Sequence, residues 1–217
     1  MAKKEVPIDY LAKYLPAGTE VEVGRYLQQY HIHLTIARQR QSILGDYRHR
    51  TVYQNHRISV NGNLNPYAFL ITLIHEIAHL LTFEKYGNRV QTHGIEWKNI
   101  YSDLLRQFIE NKQGDQPIFP EDVKAALMKS LINPAASSCA DDGLIRILRK
   151  YDKNEIGFML VEELTVNTVF KIKDGRVFKK GNKMRKRYKC EELSTGKFYL
   201  FSPVYEVELI SNPQPQP

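Results

Sequence analysis

The amino-acid sequence predicts an α+β protein: a first domain of a small sheet and one long, mostly apolar helix, followed by a small β-rich unit. Three observations predict it. Residues 67–83, YAFLITLIHEIAHLLTF, form a nearly continuous apolar run of helical length. Stretches rich in β-branched and aromatic residues precede it at 31–37, 42–48 and 56–60 and read as strands. Beyond residue 150, hairpin signals replace helical ones.

Taken in order, residues 7–30 suggest one or two short helices, interrupted near Pro16-Ala17-Gly18. The three strands follow, then the apolar helix, which should stop at Gly87, a residue suited to a helix C-terminus. A second helix is expected over 95–111, and a third over 121–131, entered after Pro120. Asn133-Pro134-Ala135-Ala136-Ser137-Ser138 has the small, polar character of a linker. Asp174-Gly175 between two apolar-alternating stretches marks a hairpin, and Ser194-Thr195-Gly196 a second. Tyr205, Val207 and Leu209 alternate with Glu206 and Glu208 as a last strand. These patterns divide the chain into a domain over 1–132, a linker and connecting segment over 133–150, a small basic β-rich domain over 151–211 and a disordered Pro/Gln tail over 212–217. At 217 residues there is enough chain to fold without disulfides.

Within the apolar run, His75-Glu76-Ile77-Ala78-His79 is the one concentration of polar chemistry. An α-helix turns about 100° per residue, so His75 and His79 share a face one turn apart and both imidazoles can reach one ion. Glu76 lies beside them, placed to hold a water at the ion's open position. This is the zinc-hydrolase pattern, with the histidines as ligands and the glutamate as general base. Its setting supports the chemistry. Burying a carboxylate without a partner costs several kcal/mol, and one cation can serve all three groups.

Catalytic zinc usually takes three protein ligands and leaves a fourth position open. His93, 14 residues beyond His79 and across a loop, is the first candidate for the third ligand; Glu96 competes with it, and Glu84 is weaker because it points off the metal face. The metzincin pattern fails, since Thr82 and Lys85 stand where Gly and His are required.

The run ISVNGNLNPYAFLITLIHEIAHLL, followed by HGIEWKNI, resembles the SprT-like zinc metalloprotease family (the Spartan/SprT-like domain) over about residues 20–115. The resemblance implies a zincin-like catalytic domain, one catalytic zinc held by His75, His79 and His93, Glu76 as the catalytic residue, and DNA-associated or DNA-crosslinked proteins as substrates. Many bacterial relatives also carry a four-cysteine zinc ribbon. This chain has only Cys139 and Cys190, so its last domain is expected to resemble a zinc ribbon without its cysteines.

Two cysteines and a charged, amphipathic beginning without a signal-peptide core lead to the expectation of a cytoplasmic protein with reduced thiols. The apolar run is shorter than the ~20 residues of a membrane span, so no membrane association is expected.

The formal net charge is +7, and it is uneven. From Lys171 to Lys189 there are ten basic residues and one acid, interleaved with Phe178, Met184 and Tyr188. Lys179, Lys180, Lys183, Arg185, Lys186 and Arg187 are the candidate contacts to nucleic acid, either single-stranded DNA or nucleoprotein, with aromatic side chains able to stack on bases. The plainer alternative is a solvated hairpin whose charges serve solubility. Two function classes follow: a zinc peptidase brought to DNA by its basic β unit, and a nucleic-acid-binding regulator whose zinc site is structural or vestigial.

Overall fold

The computed structural model of the protein describes residues 8–40, 43–110, 112–113, 116–132, 141–152 and 157–211. The expected linker core at 133–140, with Cys139, and the expected disordered tail at 212–217 lie outside the described residues. Helix and strand are both well represented, an α+β composition, and the chain divides into two compact units, Met1–Asp152 and Lys153–Pro217.

In the first unit, α1 (Ile8–Leu11) and α2 (Glu20–Gln29) precede a three-stranded sheet of β1 (His33–Ala37), β2 (Gly45–Arg48) and β3 (Arg57–Asn61). The order is β1-β3-β2, with β3 parallel to β1 and antiparallel to β2, so β2 is an edge strand. The motif helix α3 spans Pro66–Tyr86. Asn65 caps it by accepting from the Ala68 N–H at 2.9 Å, Pro66 occupies the first turn where no donor is needed, and Gly87 ends it at φ 61°. Nearly every side chain from Ala68 to Ala78 is buried, so this helix is wrapped on all sides rather than along one stripe.

At 21 residues α3 is long and apolar enough to cross a membrane, which corrects the length argument made from the sequence. Burial takes its place: 72% of the apolar window is already covered by the protein's own elements.

Helix α4 (Ile95–Glu110) buries Trp97, Tyr101, Leu104, Leu105 and Phe108, the i, i+4, i+7, i+8, i+11 face, and packs on α3. The short strands β4 (Lys112–Gln113) and β5 (Gln116–Pro117) lead to α5 (Glu121–Ser130). The segment read as linker and connection over 133–150 contains a helix, α6 (Asp142–Arg149). Asp141 caps it through the Gly143 and Leu144 N–H groups, and Leu144 and Leu148 enter the main core. Asn65 binds the Leu148 carbonyl at 2.9 Å, tying α6 to the start of α3.

The second unit is a six-stranded antiparallel sheet in the order β10-β9-β8-β7-β11-β6. Its strands are β6 (Phe158–Leu160), β7 (Val169–Lys171), β8 (Val177–Met184), β9 (Arg187–Glu192), β10 (Phe198–Phe201) and β11 (Glu206–Ser211). Gly175 (φ 90°) and Gly196 (φ 67°) make the two turns read from the sequence. Between β8 and β9 lies a hairpin with no glycine signal; Arg185 takes the left-handed conformation at φ 53°. Val161, Phe170, Phe178, Cys190, Phe201 and Val207 form the core of this unit.

Candidate metal centre

His75 and His79 emerge from one face of α3, and the loop after Gly87 returns His93 to the same point. The His79 and His93 Nε2 atoms lie 3.2 and 3.4 Å from His75 Nε2, and one ligand atom from each ring falls within 4.8 Å of the others. Trp97, fully buried in the first turn of α4, contacts all three rings at centroid distances of 4.7 Å to His75 and His93 and 5.2 Å to His79. Tyr101 stacks behind the indole at 5.0 Å. An aromatic floor thus holds three imidazoles in a converging set.

Burial and mutual repulsion keep these imidazoles uncharged. Desolvation pushes the His75 pKa down to about 3 and that of His79 to about 4, with neighbouring imidazoles adding to the shift; burial lowers His93 too. Uncharged imidazole is the metal-binding form. Three nitrogens so close to one another cannot all be satisfied by sharing N–H protons, whereas one cation accepts a lone pair from each. The donor set fits a metal ion, and three imidazole ligands with an open fourth position suit zinc chemistry. His75 Nδ1 and Trp97 Nε1 are buried without a hydrogen-bond partner among the described residues.

Glu76 is 6% exposed, and burial, reinforced by Asp46 and opposed by Arg40, pushes its pKa up to about 8. The edge strand β2 passes directly over it. Gly45 faces Glu76 and Thr72, Tyr47 lies parallel to the His79 ring (4° between planes, centroids 6.4 Å), and His49 stacks on Phe83 at 4.5 Å. Two strand residues advance about 6.6 Å and one helical turn about 5.4 Å, so Gly45 and Tyr47 of β2 and His49 just beyond its end keep step with successive turns of α3.

Backbone pairing sets what the edge offers. The Asn61 N–H donates to the Leu44 carbonyl at 2.9 Å, and the register continues as Gly45↔Val60, Asp46↔Ser59 and Tyr47↔Ile58. Hydrogen-bonded and non-bonded pairs alternate in an antiparallel ladder, so the backbone groups of Gly45 and Tyr47 point away from β3, outward from the edge of the sheet of described strands.

Among the other residues weighed as ligands, Glu84 is held by Arg50 at 3.1 Å and by His56 Nε2 at 3.3 Å, away from the three imidazoles. Glu96 is not part of the cluster either; its carboxylate lies back over Gly94. Gly45 was missed by sequence reasoning, although a glycine inside a strand pattern is a signal of close approach.

In the second unit, Lys179, Lys183, Arg185, Lys186 and Arg187 are exposed along β8, the turn and β9, and none forms an ion pair among the described residues. Lys180 corrects the expectation: it is 3% exposed, and its amine donates to the Leu164 and Glu162 carbonyls inside the unit. Its inward alternation on β8 makes it a core cation, not a surface contact.

Residues 17–114 match the model of the SprT-like family. A stretch of 42 residues is 48% identical to Protein SprT of Vibrio parahaemolyticus serotype O3:K6 (strain RIMD 2210633), covering 19% of this chain and 25% of that protein. The chain therefore spans about a quarter of the length of the curated relative it matches. No solved structure matches the chain.

Proposed function

From a chain whose residues 17–114 belong to the SprT-like family, we propose a zinc-dependent metalloendopeptidase with a zincin-like catalytic domain. The observation that carries this reading is the convergence of His75, His79 and His93 beside a buried carboxylate, Glu76. These three imidazoles hold the ion. When bound there, zinc supplies Lewis acidity that acidifies a water and polarises a peptide carbonyl.

The remaining steps belong to the protein. Glu76 accepts the proton of the attacking water and delivers it to the leaving amine nitrogen, a task suited to a carboxyl whose pKa lies near neutrality. The outward backbone groups of Gly45 and Tyr47 pair with an extended substrate segment, which favours unfolded or flexible protein over compact domains. Trp97 and the surrounding apolar side chains exclude water from beneath the imidazoles.

The partner reading is DNA, with DNA-associated or DNA-crosslinked proteins as substrates. It is supported by the exposed cations of the β8–β9 hairpin, Lys179, Lys183, Arg185, Lys186 and Arg187, which match a phosphate backbone. A cytoplasmic site of action accords with Cys190, a buried free thiol.

Glu76→Gln tests the reading and separates it from a nucleic-acid-binding regulator with a structural zinc site. The amide keeps the shape and the three imidazoles but cannot take a proton. Zinc stoichiometry should stay at wild type while cleavage of an unfolded or DNA-associated protein is lost; full cleavage by the variant would refute the assignment.

A further inference from the structure

Tyr47 faces the His79 ring in parallel at 6.4 Å between centroids and is held on its other side by a chain of contacts that the catalytic scheme does not use. His56, 2% exposed, sits at the start of β3 between two partners. The Glu84 carboxylate lies 3.3 Å from its Nε2, so that nitrogen carries the ring proton. The backbone N–H of Arg50 approaches Nδ1 at 3.3 Å, which identifies Nδ1 as an acceptor. The Tyr47 hydroxyl, 2.9 Å from the same nitrogen, is therefore a donor. Arg50 fixes the far end through a bidentate contact with Glu84, Nε to Oε1 and Nη2 to Oε2, each at 3.1 Å.

Anchored in this way, the phenol ring has one orientation, and its plane lies within 4° of the His79 imidazole. Trp97 meets His79 at an interplanar angle of 30°, so the ring has an aromatic neighbour on α4 as well as on β2. A metal-binding imidazole is held by what surrounds it, and loss of such support typically weakens metal affinity by about 10–100-fold.

We propose that Tyr47 is a positioning residue for the metal centre: locked by the Glu84–His56 pair, its ring fixes the plane of the His79 imidazole so that Nε2 stays aimed at the ion. The inference rests on His79 acting as a metal ligand. It assigns a task to a residue of the edge strand outside the three-imidazole cluster.

The test is zinc affinity, measured by competition with a chromophoric chelator and followed in parallel by the fluorescence of Trp97, the one tryptophan in the chain and a neighbour of all three imidazoles. Tyr47→Phe keeps the ring and deletes its anchor; Tyr47→Ala deletes the ring. Zinc affinity should fall about tenfold in the first and up to about a hundredfold in the second. The visible spectrum of the cobalt(II)-substituted protein should shift in both, a change that general loss of stability does not produce. Glu84→Gln, at the far end of the chain of contacts, should fall between wild type and Tyr47→Phe. Zinc affinities within twofold of wild type in both Tyr47 variants, with unchanged cobalt spectra, would overturn the inference while leaving the metal centre standing. A wild-type chain that binds no zinc would refute the centre and the inference together.

Discussion

Gly45 stands directly against Glu76: a methyl group built on its Cα would meet the carboxylate Oε1, with Cδ at 2.9 Å and Thr72 Cγ2 at 2.8 Å. The edge of the sheet and the carboxylate proposed as the base are therefore in contact through a position where an added Cβ requires the Glu76 and Thr72 side chains to shift. Gly45→Ala should push the Glu76 side chain from its place without touching an imidazole. We expect turnover to fall about a hundredfold, within the range general-base catalysis contributes, at unchanged zinc content. Wild-type turnover in this variant, measured beside metal stoichiometry, would mean the carboxylate does not act from this position.

His93→Ala removes one of three converging nitrogens, and Glu84 and Glu96 are not placed to replace it. Zinc retention after dialysis should drop sharply in His93→Ala and stay near wild type in Glu96→Ala. Mass spectrometry under native conditions reads both, and the reverse order would move the third ligand to Glu96.

The metal-free protein should lose stability on acidification. His75, His79 and His93 all have folded pKa values below the ordinary 6.5, so the unfolded chain takes up protons that the folded site refuses. Their contribution is fully present above 6.5 and is lost as pH falls through about 4 for His79 and about 3 for His75. Glu76 has the opposite sign: raised from 4.5 to about 8, its contribution is present below 4.5 and lost as pH rises through about 8. Thermal melting of chelated protein should show an acid-side decline in wild type and in Glu76→Gln alike. The variant should lack the alkaline-side component. A melting temperature that climbs on acidification below 6.5 would contradict the histidine environment described.

Nucleic-acid affinity, if the hairpin cations carry it, has a salt signature. Five exposed cations, Lys179, Lys183, Arg185, Lys186 and Arg187, imply that quadrupling the salt weakens single-strand binding roughly a hundredfold. Reversing charge at Lys183, Arg185, Lys186 and Arg187 should abolish both binding and its salt dependence. Lys180→Gln should instead lower the stability of the β unit, because its amine satisfies two buried carbonyls. Fluorescence anisotropy against a short DNA strand, with melting curves alongside, distinguishes the two effects; salt-independent binding would exclude the hairpin as a phosphate contact.

Much of the fold was legible where local signals are strong. The apolar run gave α3, and Asp174-Gly175 and Ser194-Thr195-Gly196 gave two hairpins at their observed places. Helix α6 was hidden because only Leu144 and Leu148 of its eight residues are fully buried, and the preceding small residues read as linker. The β8–β9 hairpin was hidden because its left-handed turn position is Arg185 rather than glycine. Its two strands were legible in part, β8 as the second arm of the Asp174-Gly175 hairpin and β9 as the first arm of the Ser194-Thr195-Gly196 hairpin.

The amino-acid order alone determined the chemistry of the site: two imidazoles and a carboxylate on one helical face follow from the 3.6-residue turn and need no tertiary information. The return of His93, the approach of Gly45 to Glu76, the alignment of Tyr47 with His79 and the inward turn of Lys180 were decided only by the tertiary structure. Each depends on how an apolar helix or strand is covered by elements distant in sequence. That choice is made by burial and packing, which act across the folded chain and leave no periodic trace along it.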